Sequence, residues 1–269
     1  MYAFDYIRPA SVGEAANAGA ADPDARYLAG GQTLIPTLKQ HLANPTRLID
    51  LGRIGDLKGI HQSGNAIGIG ALTTHAEVAG HAGLAKACPA LCHLAGEIAD
   101  PSVRARGTIG GSLANNDPAA DYPAAVLGLG ATITTSKRNI AADDFFRGLF
   151  TTALEPGEII TGVGFQAPER AGYAKFAQPA SRFALVGVFV AKTASGVRVA
   201  VTGAGEAGVF RATSLEQALA ANFEPSALSG ISIPPTRMLS DLHGTAEYRA
   251  ALIPVMAERA VAMANASQG

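Results

Sequence analysis

Cysteine is nearly missing from this chain of 269 residues, which has two, Cys88 and Cys92, in the run CPALC. Two thiols exclude a disulfide scaffold at this length and are too few to hold an iron–sulfur cluster. Charge is scarce as well. Asp, Glu, Lys and Arg make up 16% of the residues, where about 25% is usual. That fits either a surface partly covered by another protein or simply an Ala-rich composition. The net charge of −1, with no basic stripe, leaves no electrostatic footprint for nucleic acid. No apolar run reaches the about 18 residues that a membrane span needs. The opening MYAFDYIRPA lacks the charged-then-apolar pattern of a secretory signal, so a cytoplasmic location is expected.

The usual nucleotide and metal motifs are also absent. There is no GxxxxGK[ST] run, and GIGALTTH lacks the third glycine of a dinucleotide-binding turn. The six histidines form no metal-binding pair on one helical turn, and each reads as a surface or locally bonded side chain. Cys88 and Cys92, four apart on a helix, read as small core residues. Asp143 and Asp144 read as carboxylates at a helix start. Arg104 and Arg106 suit either a phosphate contact or a structural ion pair.

What the chain does have is glycine, 31 residues of it, so one adjacent pair is weak evidence by itself. It holds two pairs, Gly30-Gly31 and Gly110-Gly111, and their surroundings are alike. Each follows an apolar segment and precedes residues that can donate hydrogen bonds: Gln32 and Thr33 after the first, Ser112, Asn115 and Asn116 after the second. Such a turn lets backbone approach a ligand and can gather N–H groups into an anion site, helped by a helix start behind it. Two loops of one grammar suggest a diphosphate clasped from both sides.

Residues 26–42 read as a short strand, a glycine turn and a helix with Thr33 as its cap. Residues 46–51 read as a strand, and 64–79 as a strand followed by a helix capped by Thr73 or Thr74. Helical spacing covers 88–99 and 121–130, with 100–111 an extended entry to the second turn. Strands are expected at 131–135 and 158–165. From 173 to 203 the pattern is strand and turn without helices. Helices follow at 214–221 and 245–266, the second kinked or restarted at Pro254. The last four residues, ASQG, are expected to fray. The fold class is α+β, with a boundary near Ala167-Pro168 that separates residues 1–167 from 168–269.

Four blocks together resemble a known family. LAGGQTLIPTLKQHLANPTRLIDL, IADPSVRARGTIGGSLANNDPAADYPAAVLGLGATI, FFRGLFTTALEPGEIITGV and YAKFAQPASRFALVGVFVA occur in the order and spacing of the FAD-binding medium subunits of the molybdenum hydroxylases, and the late VTGAG continues the match. That family includes carbon monoxide dehydrogenase and bacterial enzymes of the xanthine dehydrogenase type. The resemblance implies a flavin domain of two α+β subdomains, of the vanillyl-alcohol-oxidase type. A small C-terminal domain on a three-stranded antiparallel sheet with helices follows it.

It also implies non-covalent FAD, its diphosphate held by Ala29, Gly30, Gly31, Gln32 and Thr33 in the first loop and by Thr108, Ile109, Gly110, Gly111 and Ser112 in the second. Asp121 matches a polar contact to the flavin. Ile98 and Ile160 match apolar positions against it, and Lys175 a lysine at the flavin end. Thr33 stands where many relatives have Ser and keeps the hydroxyl. Asn115-Asn116 departs from the family's usual pair. The extra cysteines of the benzoyl-CoA-type branch are missing.

By this resemblance the chain is an electron-transfer subunit. Electrons would come from iron–sulfur clusters on a small 2Fe-2S subunit and pass through the FAD to an external acceptor, the substrate being oxidised on a large molybdopterin subunit, with a dimer of heterotrimers as the assembly. No acid–base or nucleophile set is needed here, and none stands out. The alternatives are a self-sufficient FAD-dependent oxidase or reductase and a non-catalytic nucleotide-binding module.

Overall fold

A computed structural model describes residues 1–267; of the expected frayed end, residues 268–269 lie outside the described part. The described residues build three larger sheets and a two-stranded hairpin of Phe146–Gly148 with Thr151–Thr152. The first is small and parallel, with Arg47–Asp50 between Asp5–Ile7 and Arg26–Leu28. The second is antiparallel and five-stranded, with Ile160–Gln166 at its centre between Ala66–Gly70 and Thr132–Thr135. The third holds Arg170–Ala177, Ala184–Thr193, Gly196–Thr202 and Phe210–Arg211 in that order. Its three long strands are the ones expected; the fourth, of two residues, extends the edge.

Period-two alternation explains how the third sheet is covered on both faces. Val186, Val188 and Val190 pack on one side with Ile253, Met256 and Ala260 of the last helix. Phe189 and Ala191, with Ala171 and Tyr173, pack on the other side against the larger core that includes Leu94, Leu113 and Val126. Helix and strand come close at Gly172, where a β-carbon would stand 1.9 Å from the Ala260 carbonyl oxygen.

Two local expectations change. Residues expected to be extended before the second glycine turn form a short helix, Pro101–Arg104. Asp100 caps it, accepting from the N–H of Ser102 at 2.7 Å and of Val103 at 3.1 Å, and Pro101 suits the first helical position. The last helix, Ala246–Ala266, runs through Pro254 without a break. Its buried stripe against the third sheet outweighs the missing N–H, worth about 3 kcal/mol. Between the two capping candidates Thr74 is the cap, in a reciprocal box with Glu77. Thr73 Oγ1 instead bonds the Gly59 backbone.

Candidate functional site

A cleft of about 800 Å³ is lined by both glycine loops, by the turn after Ala71, by Ile159 and Ile160, and at its rim by Ala180–Phe183. That volume lies in the range of small-molecule sites, about 300–1,000 Å³.

The first loop connects Arg26–Leu28 to the helix Leu34–Lys39. Gly31 has φ +77, a left-handed conformation that costs a β-carbon-bearing residue about 1 kcal/mol or more. Gly30 is needed for a different reason. Its β-carbon would stand 1.9 Å from the Arg106 carbonyl oxygen, so the first loop lies directly on the segment that enters the second. Among the described residues, the N–H groups of Gly31, Gln32 and Thr33 donate to no protein acceptor. Thr33 occupies the cap position, but its side chain makes no capping bond. Three consecutive free N–H groups beside a cleft form an anion-binding concavity.

The second loop is wired differently, although its sequence looks the same. Thr108 caps the helix Ile109–Asn115, its Oγ1 accepting from Gly111 N–H at 3.1 Å. Ile109 and Gly110 donate to the carbonyls of Thr73 and Ala71 at 3.1 and 2.8 Å, and Ser112 donates to Thr108. The N–H groups of Ile109, Gly110, Gly111 and Ser112 are therefore spent on the loop's own scaffold. Gly110 is a packing glycine, since its β-carbon would meet Ala71 at 2.6 Å. What this loop offers the cleft is the side chains of Ser112 and Asn115, which have no protein partner among the described residues. Asn116 instead turns away, with φ +43, and its amide donates to Gly148 and Thr151 carbonyls at 2.8 Å each.

Of the fourteen expected site residues, twelve line the cleft; Ile109 and Lys175 do not. Ile109 is buried in the core beneath the loop. The Lys175 side chain, 2% exposed, lies behind Asp121 and uses all three of its N–H donors. Asp121 Oδ1 accepts at 2.9 Å, the Glu97 carbonyl at 2.9 Å and the Arg182 carbonyl at 2.8 Å. Lys175 thus braces three segments that border the cleft. Burial pushes the Asp121 carboxyl above the usual range, with the Lys175 charge and the Tyr173 hydroxyl opposing it.

Phe183, Arg182, Leu154 and Ile159 also line the cleft; they lie within the blocks that carry the family resemblance, but no local pattern singles them out. His75 is the clearest correction. It is buried in the cleft wall, its ring 5.2 Å from Tyr122, and its Nδ1 has no protein partner. Burial, with help from the Arg104 charge, lowers its pKa to about 4, so it is neutral. Arg104 is structural, donating to the Ile98 and Ala99 carbonyls at 2.8 and 3.0 Å. Cys88 and Cys92 are buried and free, as expected. Asp143 does stand at a helix start and also pairs with Arg198 at 2.8 Å. Among the described residues no three His, Cys, Asp or Glu side chains gather to hold a metal, and no helix is long and apolar enough to cross a membrane.

The model of the FAD binding domain in molybdopterin dehydrogenase matches residues 2–166, which include both loops and most of the cleft. The chain belongs to this family. The FAD-binding family relationship extends past residue 166 in the relatives. The nicotine 6-hydroxylase medium subunit of Paenarthrobacter nicotinovorans is 34% identical over 98% of each chain. The carbon monoxide dehydrogenase medium chain of Afipia carboxidovorans is 38% identical over 98% of this chain and 97% of its own length. In three dimensions the chain is similar to reconstituted CO dehydrogenase from Oligotropha carboxidovorans, with TM-score 0.90 and 35% identity over 99% of both chains. It is also similar to quinoline 2-oxidoreductase from Pseudomonas putida 86, with TM-score 0.86 and 31% identity over 100% of this chain and 98% of the other. The cleft suits the family's cofactor: free backbone donors for an anion, unpaired Ser112 and Asn115, and apolar walls at Leu72, Ile98 and Ile160.

Proposed function

We propose that this chain is the FAD-carrying electron-transfer subunit of a molybdenum hydroxylase complex, taking electrons from an iron–sulfur partner and passing them to an external acceptor. The observation that carries this is similarity over nearly the full length to medium subunits. FAD supplies the redox chemistry when bound, while the protein supplies binding, orientation and electrostatics. Gly31, Gln32 and Thr33 would hold the diphosphate through their N–H groups, with Ser112 adding a hydroxyl. Ala29, Gly30, Thr108, Gly110 and Gly111 would shape its seat, over Ile109. Ile98 and Ile160 would contact the flavin, with Asp121 as the polar contact and Lys175 acting from behind it.

The vanillyl-alcohol-oxidase type of subdomain arrangement belongs to this reading, as does a division into 1–167 and 168–269. The change from the second sheet to the third between Gln166 and Arg170 supports that boundary. Small 2Fe-2S and large molybdopterin subunits, assembled as a dimer of heterotrimers in the cytoplasm, complete it. The test is purification with the neighbouring subunits, followed by an absorption spectrum and acid precipitation. One FAD per chain should appear in the supernatant, beside iron–sulfur and molybdopterin signals. A colourless complex, or flavin left on the pellet, would contradict the reading.

A further inference from the structure

We infer that Tyr173 is a positioning residue for the cleft: its hydroxyl, together with Lys175, occupies one oxygen of Asp121 and turns the other toward the bound cofactor. Tyr173 and Lys175 lie two apart on the strand Arg170–Ala177, so they share a face. The Tyr173 hydroxyl donates to Asp121 Oδ1 at 2.5 Å, and Lys175 Nζ donates to the same oxygen at 2.9 Å. Oδ2 has no protein partner among the described residues, and Asp121 lines the cleft. With Oδ1 filled by two donors, Oδ2 is the atom that accepts from a ligand N–H or takes up a proton.

The space for the hydroxyl is built into the neighbouring strand. Gly187 pairs with Lys175, and a β-carbon there would stand 2.6 Å from the Tyr173 oxygen. The ring is fully buried beside Phe189, 6.3 Å between centroids, so removing the hydroxyl leaves the packing in place. The titratable groups facing Asp121 are Lys175, Tyr173, Glu97 and the adjoining Tyr122. Of these, Lys175 and Tyr173 favour the ionised carboxyl and Glu97 opposes it.

The inference rests on the FAD-binding reading and is tested separately from it. Flavin-free full-length chain is titrated with FAD across pH, following flavin fluorescence, for wild type, Tyr173→Phe, Asp121→Asn and the double variant. FAD binding should weaken about tenfold in Tyr173→Phe, the size expected for a hydrogen bond to a charged group. The acid limb of its binding profile should move to higher pH, because the carboxyl loses a donor that holds its pKa down. In the Asp121→Asn background Tyr173→Phe should change little further, since both act through one atom. Gly187→Ala, which keeps the hydroxyl but displaces it, should reproduce the pH shift if Tyr173→Phe folds poorly. Wild-type chain that binds no FAD overturns the functional reading. Wild-type binding with an unshifted acid limb in Tyr173→Phe and Gly187→Ala, or additive losses in the double variant, overturns this inference alone.

Discussion

Gly30 and Arg106 interlock: a β-carbon on Gly30 would lie 1.9 Å from the Arg106 carbonyl oxygen and 3.0 Å from the Gly107 α-carbon. Neither neighbour is a flexible side chain, so Gly30→Ala must push the two loops apart. Overpacking of this kind costs about 1–3 kcal/mol. A lowered unfolding midpoint in denaturant, with loss of FAD, is the expected outcome.

Gly111 behaves in the opposite way. It sits inside the helix Ile109–Asn115 and has no left-handed φ, and beyond Thr108 Oγ1 at 2.9 Å a β-carbon would find only Ala29 at 3.8 Å. Alanine gains helix propensity of about 1 kcal/mol over glycine, which offsets a weakened cap bond. Gly111→Ala should therefore keep its unfolding midpoint within about 1 kcal/mol of wild type, while its β-carbon narrows the cleft beside Ala29 and weakens flavin retention. Equal loss of stability in the Gly30 and Gly111 variants would show that both glycines serve packing alone.

Lys175→Met removes the counter-charge of a buried carboxylate and leaves the carbonyls of Glu97 and Arg182 without their donor. Breaking one side of a buried pair costs roughly 3–5 kcal/mol. Burial already raises the Asp121 carboxyl, and without Lys175 it rises further. A carboxyl raised in the folded state contributes stability below its unfolded pKa and loses it as pH rises through the folded value. The variant should thus lie nearest to wild type in acid and fall away as pH increases. Urea unfolding at several pH values measures this; a constant difference would contradict it.

His75 gives the pH dependence an opposite sign. Its folded pKa of about 4 lies below the ordinary 6.5, so the unfolded chain binds the proton more readily between those values. Stability should rise with pH through that window, by about 3 kcal/mol from this residue. His75→Gln should flatten the slope between pH 4 and 6.5.

Cys88 and Cys92 are buried, and burial pushes their thiols up to about 12 and about 11. Little thiolate forms at neutral pH, so Ellman's reagent should leave the native chain almost unlabelled and react with both thiols once it is unfolded. Rapid labelling of native chain would mean that the helix Pro89–Gly96 opens readily.

Local patterns were enough to locate both glycine loops, the valine-rich strand Ala184–Thr193 and the capped helix after Thr74, because turn chemistry, period-two alternation and capping act within a few residues. The family was legible for the same reason, since its blocks are contiguous runs. The wiring was not. Two loops with matching composition differ in that one keeps its N–H groups free and the other spends them on Thr73 and Ala71, partners more than thirty residues away. Lys175 matched a cofactor contact by position, yet it reaches Asp121, Glu97 and Arg182 from behind the cleft. His75 gave no local sign of burial, and Pro254 gave a local sign of a break that the last helix does not have. In each case the outcome is decided by which distant backbone or sheet face a residue meets, and that exists only once the chain has folded.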